Sequence, residues 1–348
     1  MADASRFGWR GPLPDLRDGH ALMRVSAQHR AGYEVHDGAH VFNAQPAPRF
    51  LKRGIDPVDR PAVGDFVIVA SGSPPHIVEV LPRRGALTRA AAGERYARQV
   101  IAANVDIVLV LMGLDRDFNA ARAERYIALI DGSNAQPVIL LTKIDKVDRA
   151  RAAEALSELS SRLPQVPLHA INGKDAGSVR ELDRYLQPGV TAVLVGSSGA
   201  GKSTLTNTLL GESRMATAAT RAGDDRGRHT TSHRALLMLP GGACMIDTPG
   251  MRELKLTGEE DLDVFADIDA LAAQCRFADC NHGNEPGCAV RAAVEAGQLD
   301  EQRFRNYEKL HGERDDQADA AEARLRTKTD PKTATRALRQ FYRDRERK

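Results

Sequence analysis

Four continuous apolar segments, separated by helical stretches, constrain the fold of the central part of this chain. They are "VDIVLVLMGLD" (105–115), "QPVILLTKID" (136–145), "VPLHAIN" (166–172) and "VTAVLVGSSG" (190–199). Unbroken runs of Val, Leu and Ile are typical of strands covered on both faces, and strands that alternate with helices form parallel sheets. The sequence therefore predicts a multidomain α/β protein whose central part is a doubly wound, mostly parallel sheet.

The flanking regions predict different architectures. The first part contains short β segments such as "AHVFNA" and "VGDFVIVA", separated by Gly, Pro and Asp, which favours a small β-barrel of the OB type. A length of 348 residues favours two or three domains. We expect an OB-type barrel at 1–95, an α/β domain at 96–256, and a helical domain at 257–348 that ends in a basic tail.

The segment "GSSGAGKST" follows one of the apolar runs and opens a helical stretch, so it matches a phosphate-binding loop. Its glycines let backbone N–H groups turn inward around phosphate oxygens. In this pattern Lys202 bridges the β- and γ-phosphates and Ser203 binds Mg²⁺. The predicted phosphate-binding residues are Gly196, Ser197, Ser198, Gly199, Ala200, Gly201, Lys202, Ser203 and Thr204.

Two segments downstream of this loop fit contacts to Mg²⁺ and the γ-phosphate. In "CMIDTPG" (244–250), Asp247 can hold Mg²⁺ through water and the Gly250 N–H can meet the γ-phosphate. D-T-P-G alone is an ordinary turn signal, and its place after a phosphate loop makes it specific. In "GRHTTS" (227–232), Thr231 can reach both Mg²⁺ and γ-phosphate, with Thr230 as the alternative. A mobile loop without such a role is the simpler alternative for "GRHTTS".

The segment "TKID" is the pattern with which GTPases recognise guanine. The Asp145 carboxylate can accept hydrogen bonds from N1–H and the N2 amino group of guanine, a donor pair that adenine lacks. The aliphatic chain of Lys143 can lie along the base, and Thr142 stands where Asn is more usual. In "HAING" (169–173), the backbone N–H of Ala170 is expected to make a second contact to guanine, although this motif is weak by itself.

The residue after Gly250 is Met251, which cannot orient the attacking water as the glutamine of Ras-type GTPases does. Intrinsic hydrolysis should therefore be slow, or another group must position the water. His229 is the nearest candidate by sequence, and we expect it to act when the segment around it becomes ordered.

The segment "CRFADCNHGNEPGC" predicts a metal site. Three thiolates and one imidazole match a closed tetrahedral Zn²⁺ site with a structural role, since no coordination position remains open. Cysteines buried as apolar residues are the alternative, but their crowding in a loop rich in Gly, Asn and Pro argues against it. Cys244 is expected to be a core residue. The predicted ligands are Cys275, Cys280, His282 and Cys288.

Charge is unevenly distributed although the net charge is only +2. From Arg324 to the end there are ten basic residues against three acidic ones, which suggests a phosphate-rich partner such as nucleic acid. A solvated helical tail without a partner is the alternative. The first residues lack a basic region followed by an apolar core, and no apolar run is long enough to span a bilayer. We expect a cytoplasmic protein that does not bind membranes.

The order of these motifs is itself informative. "TKID" and "HAING" precede the phosphate loop, "GRHTT" and "DTPG", so the usual GTPase set has its last two elements moved to the front, as in a circular permutation. Such rearrangements are tolerated when the old termini lie close together and the new ones fall in exposed loops. With the β-rich first domain and "C-x4-C-x-H-x5-C" behind, almost the whole chain resembles the ribosome small subunit-dependent GTPase A family, the circularly permuted GTPases of bacterial ribosome assembly.

This resemblance implies an OB-type domain that binds RNA or the ribosome, a permuted GTPase domain, and a helical domain that binds one structural Zn²⁺. It implies hydrolysis of GTP to GDP, with Mg²⁺ as cofactor and with stimulation by the small ribosomal subunit. It also implies binding to that subunit and to 16S rRNA during late maturation, by a monomeric protein.

Two other classes of function compete with this interpretation. A P-loop ATPase or kinase would need no carboxylate at Asp145, so replacing it by Asn should weaken GTP binding specifically. A non-catalytic RNA-binding protein with a vestigial nucleotide site is disfavoured because Lys202, Ser203 and Asp247 are all intact.

Overall fold

A computed structural model describes residues 7–29, 31–52, 55–90, 98–212, 235–247 and 262–329 of the chain. Internal contacts divide the protein into two compact units. The first unit holds a β-barrel and a largely parallel sheet, and the second holds the helices that follow residue 262.

The amino-terminal barrel closes through five strands. They are ordered β1-β2-β3-β5-β4, and β4 pairs back onto β1. The pair β3 and β5 is parallel, and the other neighbouring pairs are antiparallel. The closed five-stranded barrel confirms the predicted OB-type architecture. The elements are β1 (His20–His29), β2 (Gly32–His36), β3 (Val41–Pro46), helix α1 (Pro48–Leu51), a short 3₁₀ helix (Pro57–Asp59), β4 (Phe66–Ala70) and β5 (His76–Val80).

A buried arginine connects the barrel to the rest of the first unit. The Arg24 side chain on β1 is fully buried and lies over the ring of Phe66. Its guanidinium donates hydrogen bonds to the carbonyl oxygens of Phe7 and Gly64 at 2.6 and 3.1 Å, and to Thr191 Oγ1 at 2.8 Å. Burial lowers the pKa of Arg24, and these oxygens compensate for the water that it has lost.

The central sheet has the order β10-β9-β8-β11-β13-β12. Neighbours are parallel from β10 to β13, and β12 is antiparallel to β13. This arrangement confirms the predicted mostly parallel sheet. Its strands are β8 (Ile107–Gly113), β9 (Gln136–Thr142), β10 (Leu168–Ile171), β11 (Thr191–Gly196), β12 (Ala235–Met238) and β13 (Cys244–Asp247), while β6 (Ala86–Ala90) and β7 (Arg98–Ala103) form a separate two-stranded sheet.

The helices between these strands begin and end at residues suited to those positions. The side chain of Asn119 accepts a hydrogen bond from the Arg122 N–H at the start of α2, and Asp148 does the same for α3. Helix α5 ends at Gly211, whose φ of +70° lies in the left-handed region that glycine adopts freely. These helices are α2 (Ala120–Ile130), α3 (Arg149–Arg162), α4 (Ala176–Val179) and α5 (Lys202–Leu210), with 3₁₀ helices at Ile144–Lys146 and Arg180–Arg184.

Barrel and sheet are joined by backbone pairing. Strand β1 pairs antiparallel with β12, with Ala27 opposite Ala235, so the strands of the barrel and of the central sheet form one continuous hydrogen-bonded sheet. Apolar side chains on both faces of β8, such as Leu109 and Val110, are fully buried. The unbroken apolar runs in the sequence reflect this burial on both faces.

The second unit is helical. Phe265 and Tyr307 pack edge to face with their ring centroids 5.7 Å apart, and Arg303 forms an ion pair with Asp267 at 2.8 Å. Within the described ranges, no helix is long and apolar enough to cross a bilayer. The elements are a 3₁₀ helix (Asp263–Phe265), α6 (Ala266–Ala272), α7 (Ala289–Glu295) and α8 (Glu301–Thr329).

Gly64 is expected to be intolerant of substitution because it is restricted both in conformation and in space. Its φ is +94°, and a Cβ atom there would lie 2.2 Å from the carbonyl oxygen of Ala103. Gly132 has a similar φ of +72° but no atom within 4 Å of such a Cβ. We expect Gly64→Ala to lower the free energy of unfolding by about 3 kcal/mol and Gly132→Ala by about 1 kcal/mol, as measured by urea denaturation. Equal losses would show that conformation alone restricts Gly64.

Candidate nucleotide-binding site and metal centre

The predicted nucleotide-binding segments meet at one edge of the central sheet. Strands β9, β8, β11 and β13 are parallel neighbours, so their carboxyl ends lie at the same edge, which is where open α/β sheets bind ligands. Thr142 at the end of β9 pairs with Gly113 of β8, and Gly196 at the end of β11 pairs with Leu111 of β8. The base-reading motif and the phosphate loop thus emerge on either side of β8.

The phosphate loop runs from the end of β11 to the first turn of α5. Gly196 must be glycine, because its φ is +145° and a Cβ would lie 2.3 Å from the carbonyl oxygen of Leu111. Gly199 and Gly201 also have positive φ, of +82° and +98°. The Lys202 ammonium donates to the carbonyl oxygens of Gly196 and Ser197 at 2.6 and 2.7 Å, so the side chain at the end of the loop is hydrogen-bonded to the start of the loop. Ala200 is buried at this turn.

The motif Thr142–Asp145 contacts the phosphate loop directly. Thr142 is buried, and its hydroxyl donates to the carbonyl oxygen of Ala200 at 2.7 Å. Lys143 has a φ of +65°, and its ammonium forms an ion pair with Asp115 at 2.6 Å. Asp145 is exposed in the short 3₁₀ helix after β9. The two predicted binding segments, distant in sequence, are therefore joined by a hydrogen bond.

The other predicted residues lie on β13, on α5, in the phosphate loop, on β10 or outside the described residues. Asp247 ends β13, and Ser203 and Thr204 lie in the first turn of α5. The exposed Ser198 lies in the phosphate loop. Ala170 lies within β10 opposite Leu141, one residue before the strand ends, rather than in the following loop. His229, Thr231 and Gly250 lie outside the described residues.

Sequence reasoning missed a loop that contacts both segments. Residues 114–119, which follow β8, carry Asp115 and Asp117. Asp115 pairs with Lys143, and the hydrogen bond from that ammonium lowers the Asp115 pKa. Asp117 accepts a hydrogen bond from the Ser197 hydroxyl at 2.6 Å. The rule that sites form at the carboxyl ends of parallel strands could have drawn attention to "GLDRD", because this segment directly follows an apolar run.

The predicted metal ligands converge in the second unit. One ligand atom from each of Cys275, Cys280, His282 and Cys288 lies within 4.8 Å of all the others. His282 Nδ1 is 3.6 Å from the Cys275 sulfur and 3.5 Å from the Cys288 sulfur, and these two sulfurs are 3.9 Å apart. A disulfide requires about 2 Å between sulfurs, so the thiols are free. The cluster could hold one metal ion.

Local structure holds these ligands in place. Cys288 caps α7, accepting from the Arg291 N–H, and His282 adopts the left-handed region with a φ of +57°. The imidazole of His282 lies against the rings of Phe304 and Tyr307 on α8, at centroid distances of 6.3 and 6.4 Å. The ligand loop is thus packed on the longest helix among the described residues.

The thiol pKa values indicate that a cation suits this cluster. Burial raises the Cys275 pKa, but hydrogen bonds with the backbone N–H groups of Val290 and Ala289 and with the Cys288 and Cys280 side chains together outweigh this effect, so the net shift is downward. The His282 N–H lowers the Cys280 pKa, but desolvation and the neighbouring Cys288 and Cys275 thiols outweigh this effect and raise it to about 11. Several thiolates this close repel one another, and a bound cation removes that repulsion.

Comparison with known proteins supports the family to which these features point. The RsgA GTPase family matches residues 80–257, about half of the chain. The ABC transporter family matches residues 179–340, which is less than half of the chain and includes the phosphate loop. Proteins called "Small ribosomal subunit biogenesis GTPase RsgA" from Xanthomonas axonopodis pv. citri (strain 306) and Xanthomonas euvesicatoria pv. vesicatoria (strain 85-10) are each 55% identical over 294 residues. Each alignment covers 83% of this chain and 80% of the relative.

Two solved structures share the fold. YjeQ from Thermotoga maritima superposes with a TM-score of 0.60 at 26% identity, covering 84% of this chain and 97% of that one. YloQ, described as a circularly permuted GTPase, gives a TM-score of 0.59 at 23% identity, covering 86% and 96% of the two chains. The latter likeness concerns the fold alone, and it agrees with the permuted order of motifs along this chain. From the family match and the 55% identity over most of its length, we conclude that this chain is a circularly permuted GTPase that belongs to the RsgA GTPase family.

Proposed function

We propose that this GTPase acts in late maturation of the small ribosomal subunit, which it binds through 16S rRNA and which stimulates its hydrolysis of GTP to GDP. The Xanthomonas relatives carry the name of a small ribosomal subunit biogenesis GTPase. The observation that carries the nucleotide part is the 2.7 Å hydrogen bond from Thr142 to Ala200, which joins the base-reading motif to the phosphate loop. GTP and GDP are the nucleotides that bind there.

Each part of this nucleotide site has a distinct task. The carboxylate of Asp145 accepts hydrogen bonds from guanine, while Lys143 supports the base and Thr142 ties the motif to the phosphate loop. Backbone N–H groups of the loop and the Lys202 ammonium bind the phosphates. Ala170 at the end of β10 supplies a further backbone contact to the base. The remaining loop residues in this proposal are Gly196, Ser197, Ser198, Gly199, Ala200, Gly201 and Thr204.

The oxygen donors at the sheet edge suit Mg²⁺. Ser203 lies in the first turn of α5 and Asp247 ends β13. Strand β11, which precedes α5, is the parallel neighbour of β13, so both residues lie at the same edge of the sheet. Hydroxyl and carboxylate oxygens are the ligands that Mg²⁺ prefers. When bound, Mg²⁺ neutralises charge on the phosphates. In this proposal Ser203 and Thr231 bind the ion directly and Asp247 binds it through water.

The water that attacks the γ-phosphate needs a positioning group, because Met251 offers neither donor nor acceptor of use. We assign this task to His229, with the Gly250 N–H contacting the γ-phosphate. In sequence, His229 precedes β12 and Gly250 follows β13.

The metal in the Cys₃His cluster is proposed to be one structural Zn²⁺. Tetrahedral Zn²⁺ with ordinary Zn–S and Zn–N bonds separates two sulfurs by about 3.8 Å and a sulfur from a nitrogen by about 3.5 Å. The corresponding distances here are 3.9 Å between sulfurs and 3.5 and 3.6 Å to His282 Nδ1. All four ligands come from the protein, which leaves no position for a substrate.

The domains are proposed to divide the work. Residues 1–95 form the OB-type domain that binds RNA or the ribosome, 96–256 form the permuted GTPase domain, and 257–348 form the zinc domain with its basic tail. The excess of basic residues after Arg324 suits the rRNA phosphates. We propose that the protein acts in the cytoplasm, where small subunits mature, as a monomer that does not bind membranes.

GTP turnover is expected to be slow for the protein alone and to rise at least tenfold, by about 1.4 kcal/mol or more in activation free energy, when purified small subunits are added. ATP should not be hydrolysed in either case. Phosphate release would be measured in one buffer, with large subunits as the control particle. If turnover did not change on addition of small subunits, the ribosomal role would be contradicted and the nucleotide chemistry would stand.

In the same assay, His229→Ala should abolish most of the stimulation by small subunits while GDP affinity is kept. Full stimulation of this variant would exclude His229 as the group that positions the attacking water.

Asp145→Asn should raise KM for GTP about a hundredfold, because it removes the charged acceptor for two guanine donors. The exposed Asp183, in the 3₁₀ helix Arg180–Arg184, offers a matched change of charge, and Asp183→Asn should leave KM as it is. The KM of both variants would be measured from turnover stimulated by small subunits at a series of GTP concentrations. An unchanged KM in Asp145→Asn would show that base recognition lies elsewhere.

The purified protein should contain one equivalent of zinc by elemental analysis, and Cys280→Ser should contain much less because it lacks one thiolate ligand. Cys244→Ala, which alters the buried cysteine outside the cluster, should keep its zinc. Zinc loss should lower the Tm of the protein. Zinc retained by Cys280→Ser, or another metal in its place, would contradict the assignment.

A further inference from the structure

The loop of residues 114–119, here called the acidic loop, lies between the two halves of the nucleotide site. It follows β8, whose neighbours in the sheet are β9, which leads into the base-reading motif, and β11, which leads into the phosphate loop. The backbone of the acidic loop is hydrogen-bonded to the end of β9, because the Leu114 N–H donates to the carbonyl oxygen of Thr142 at 3.0 Å. The acidic loop therefore lies next to both the base-reading motif and the phosphate loop.

The acidic loop has a defined conformation. The N–H groups of Asp117 and Phe118 donate to the Asp115 side chain and carbonyl oxygen at 3.3 and 3.1 Å, which closes a turn. The guanidinium of Arg151 on helix α3 lies 4.9 Å from the centre of the Phe118 ring, so α3 contacts the loop. Because the conformation of the loop is fixed by these contacts, its side chains can hold the residues that they contact in defined orientations.

One contact orients the lysine of the base-reading motif. Lys143 has a backbone conformation that is unusual for a residue with a side chain, and its ammonium forms a 2.6 Å ion pair with Asp115. The stem of Lys143 passes close to Gly113, where an added Cβ would lie 3.3 Å from its Cε atom. The pair is partly shielded from water, since 22% of the Lys143 side chain and 38% of the Asp115 side chain are exposed.

The other contact orients the phosphate loop. The Ser197 hydroxyl lies 2.6 Å from both carboxylate oxygens of Asp117. That carboxylate also accepts from the Gly113 N–H at 3.1 Å and pairs with Arg122 in the first turn of α2 at 2.8 Å. The Arg122 charge offsets that of Asp117, which would otherwise repel a bound phosphate.

We propose that the acidic loop positions the nucleotide site, with Asp117 orienting the phosphate loop through Ser197 and Asp115 orienting Lys143. Both aspartates are positioning residues, because each acts through the residue it contacts. Fixing these groups before the nucleotide arrives reduces the ordering that binding must otherwise supply. The inference deepens the proposed nucleotide site and depends on it.

Removing either member of a contact should raise the Kd of the nucleotide. Removing both members of the same contact should raise it hardly more than removing one. We expect Ser197→Ala and Asp117→Ala each to raise the Kd of a fluorescent GDP analogue about tenfold, and the double variant to raise it hardly further. Asp115→Ala and Lys143→Ala should show the same non-additivity. Because the contacts exist before binding, KM should rise with little change in kcat.

Matched changes distinguish positioning from general damage. Ser198 is the next residue of the phosphate loop, and Asp117→Ala combined with Ser198→Ala should be additive, whatever Ser198→Ala does alone. Ser197→Thr, which restores a hydroxyl, should recover most of the affinity that Ser197→Ala loses. Urea denaturation without nucleotide should show that the Asp117 and Asp115 variants are folded; a variant that is not would be replaced by its Asn counterpart in the same cycle.

The outcomes separate this inference from the nucleotide site itself. If the wild-type protein binds GDP and Lys202→Ala does not, the site is as proposed. Additive effects in the Ser197/Asp117 and Lys143/Asp115 cycles would then overturn the role of the acidic loop alone. If Lys202→Ala binds GDP as well as the wild-type protein, the nucleotide site is misplaced and the inference falls with it.

Discussion

The pairing of β8 with both of its neighbours is the constraint on which the nucleotide site depends. Strand β8 is hydrogen-bonded in parallel to β9 along seven residue pairs and to β11 along five, and it is covered by side chains on both faces. A shift of two residues in either register would move one motif by about 7 Å along the sheet, since each residue of a strand spans about 3.3 Å. The site therefore requires that both registers be kept, and the buried apolar side chains of β8 maintain them.

Charged groups in the first unit are placed where hydrogen bonds can satisfy them. Arg24 is buried with three oxygen acceptors, and Arg83 donates to both carboxylate oxygens of the fully buried Asp65 at 2.7 Å. Burial raises the pKa of Asp65 and the contact with Arg83 lowers it. Such groups contribute little net stability compared with apolar side chains, but removing one partner leaves an isolated buried charge. The hydrogen bond from Arg24 on β1 to Thr191 on β11 therefore favours one arrangement of the barrel against the sheet.

Much of this organisation could be predicted from the sequence, since local patterns express it. The alternation of apolar runs and helical stretches indicated the parallel sheet, and the spacing from Cys275 to Cys288 indicated the metal cluster. What the sequence could not indicate depends on neighbours in space. Thr142 stands where Asn is more usual, and its hydroxyl donates to the carbonyl oxygen of Ala200, which only the strand order brings near. Asp117 lies 80 residues from Ser197, and no local pattern pairs them. The residues outside the described ranges, His229, Thr231 and Gly250 among them, keep their sequence-based assignments.

The pairing of β1 with β12 has a consequence for how the chain folds during synthesis. Strand β1 is made near the start of translation, while its partner residue Ala235 emerges about 200 residues later, which at about 5 to 20 residues per second is a delay of tens of seconds at most. In the same way, β8 and β9 are made before β11, which must enter the sheet beside β8. During synthesis, the barrel therefore exposes the edge of β1 until β12 is made, and β8 exposes its edge until β11 is made. Such edges favour association with other chains, so the order of the strands along this chain sets how long each edge stays exposed during synthesis.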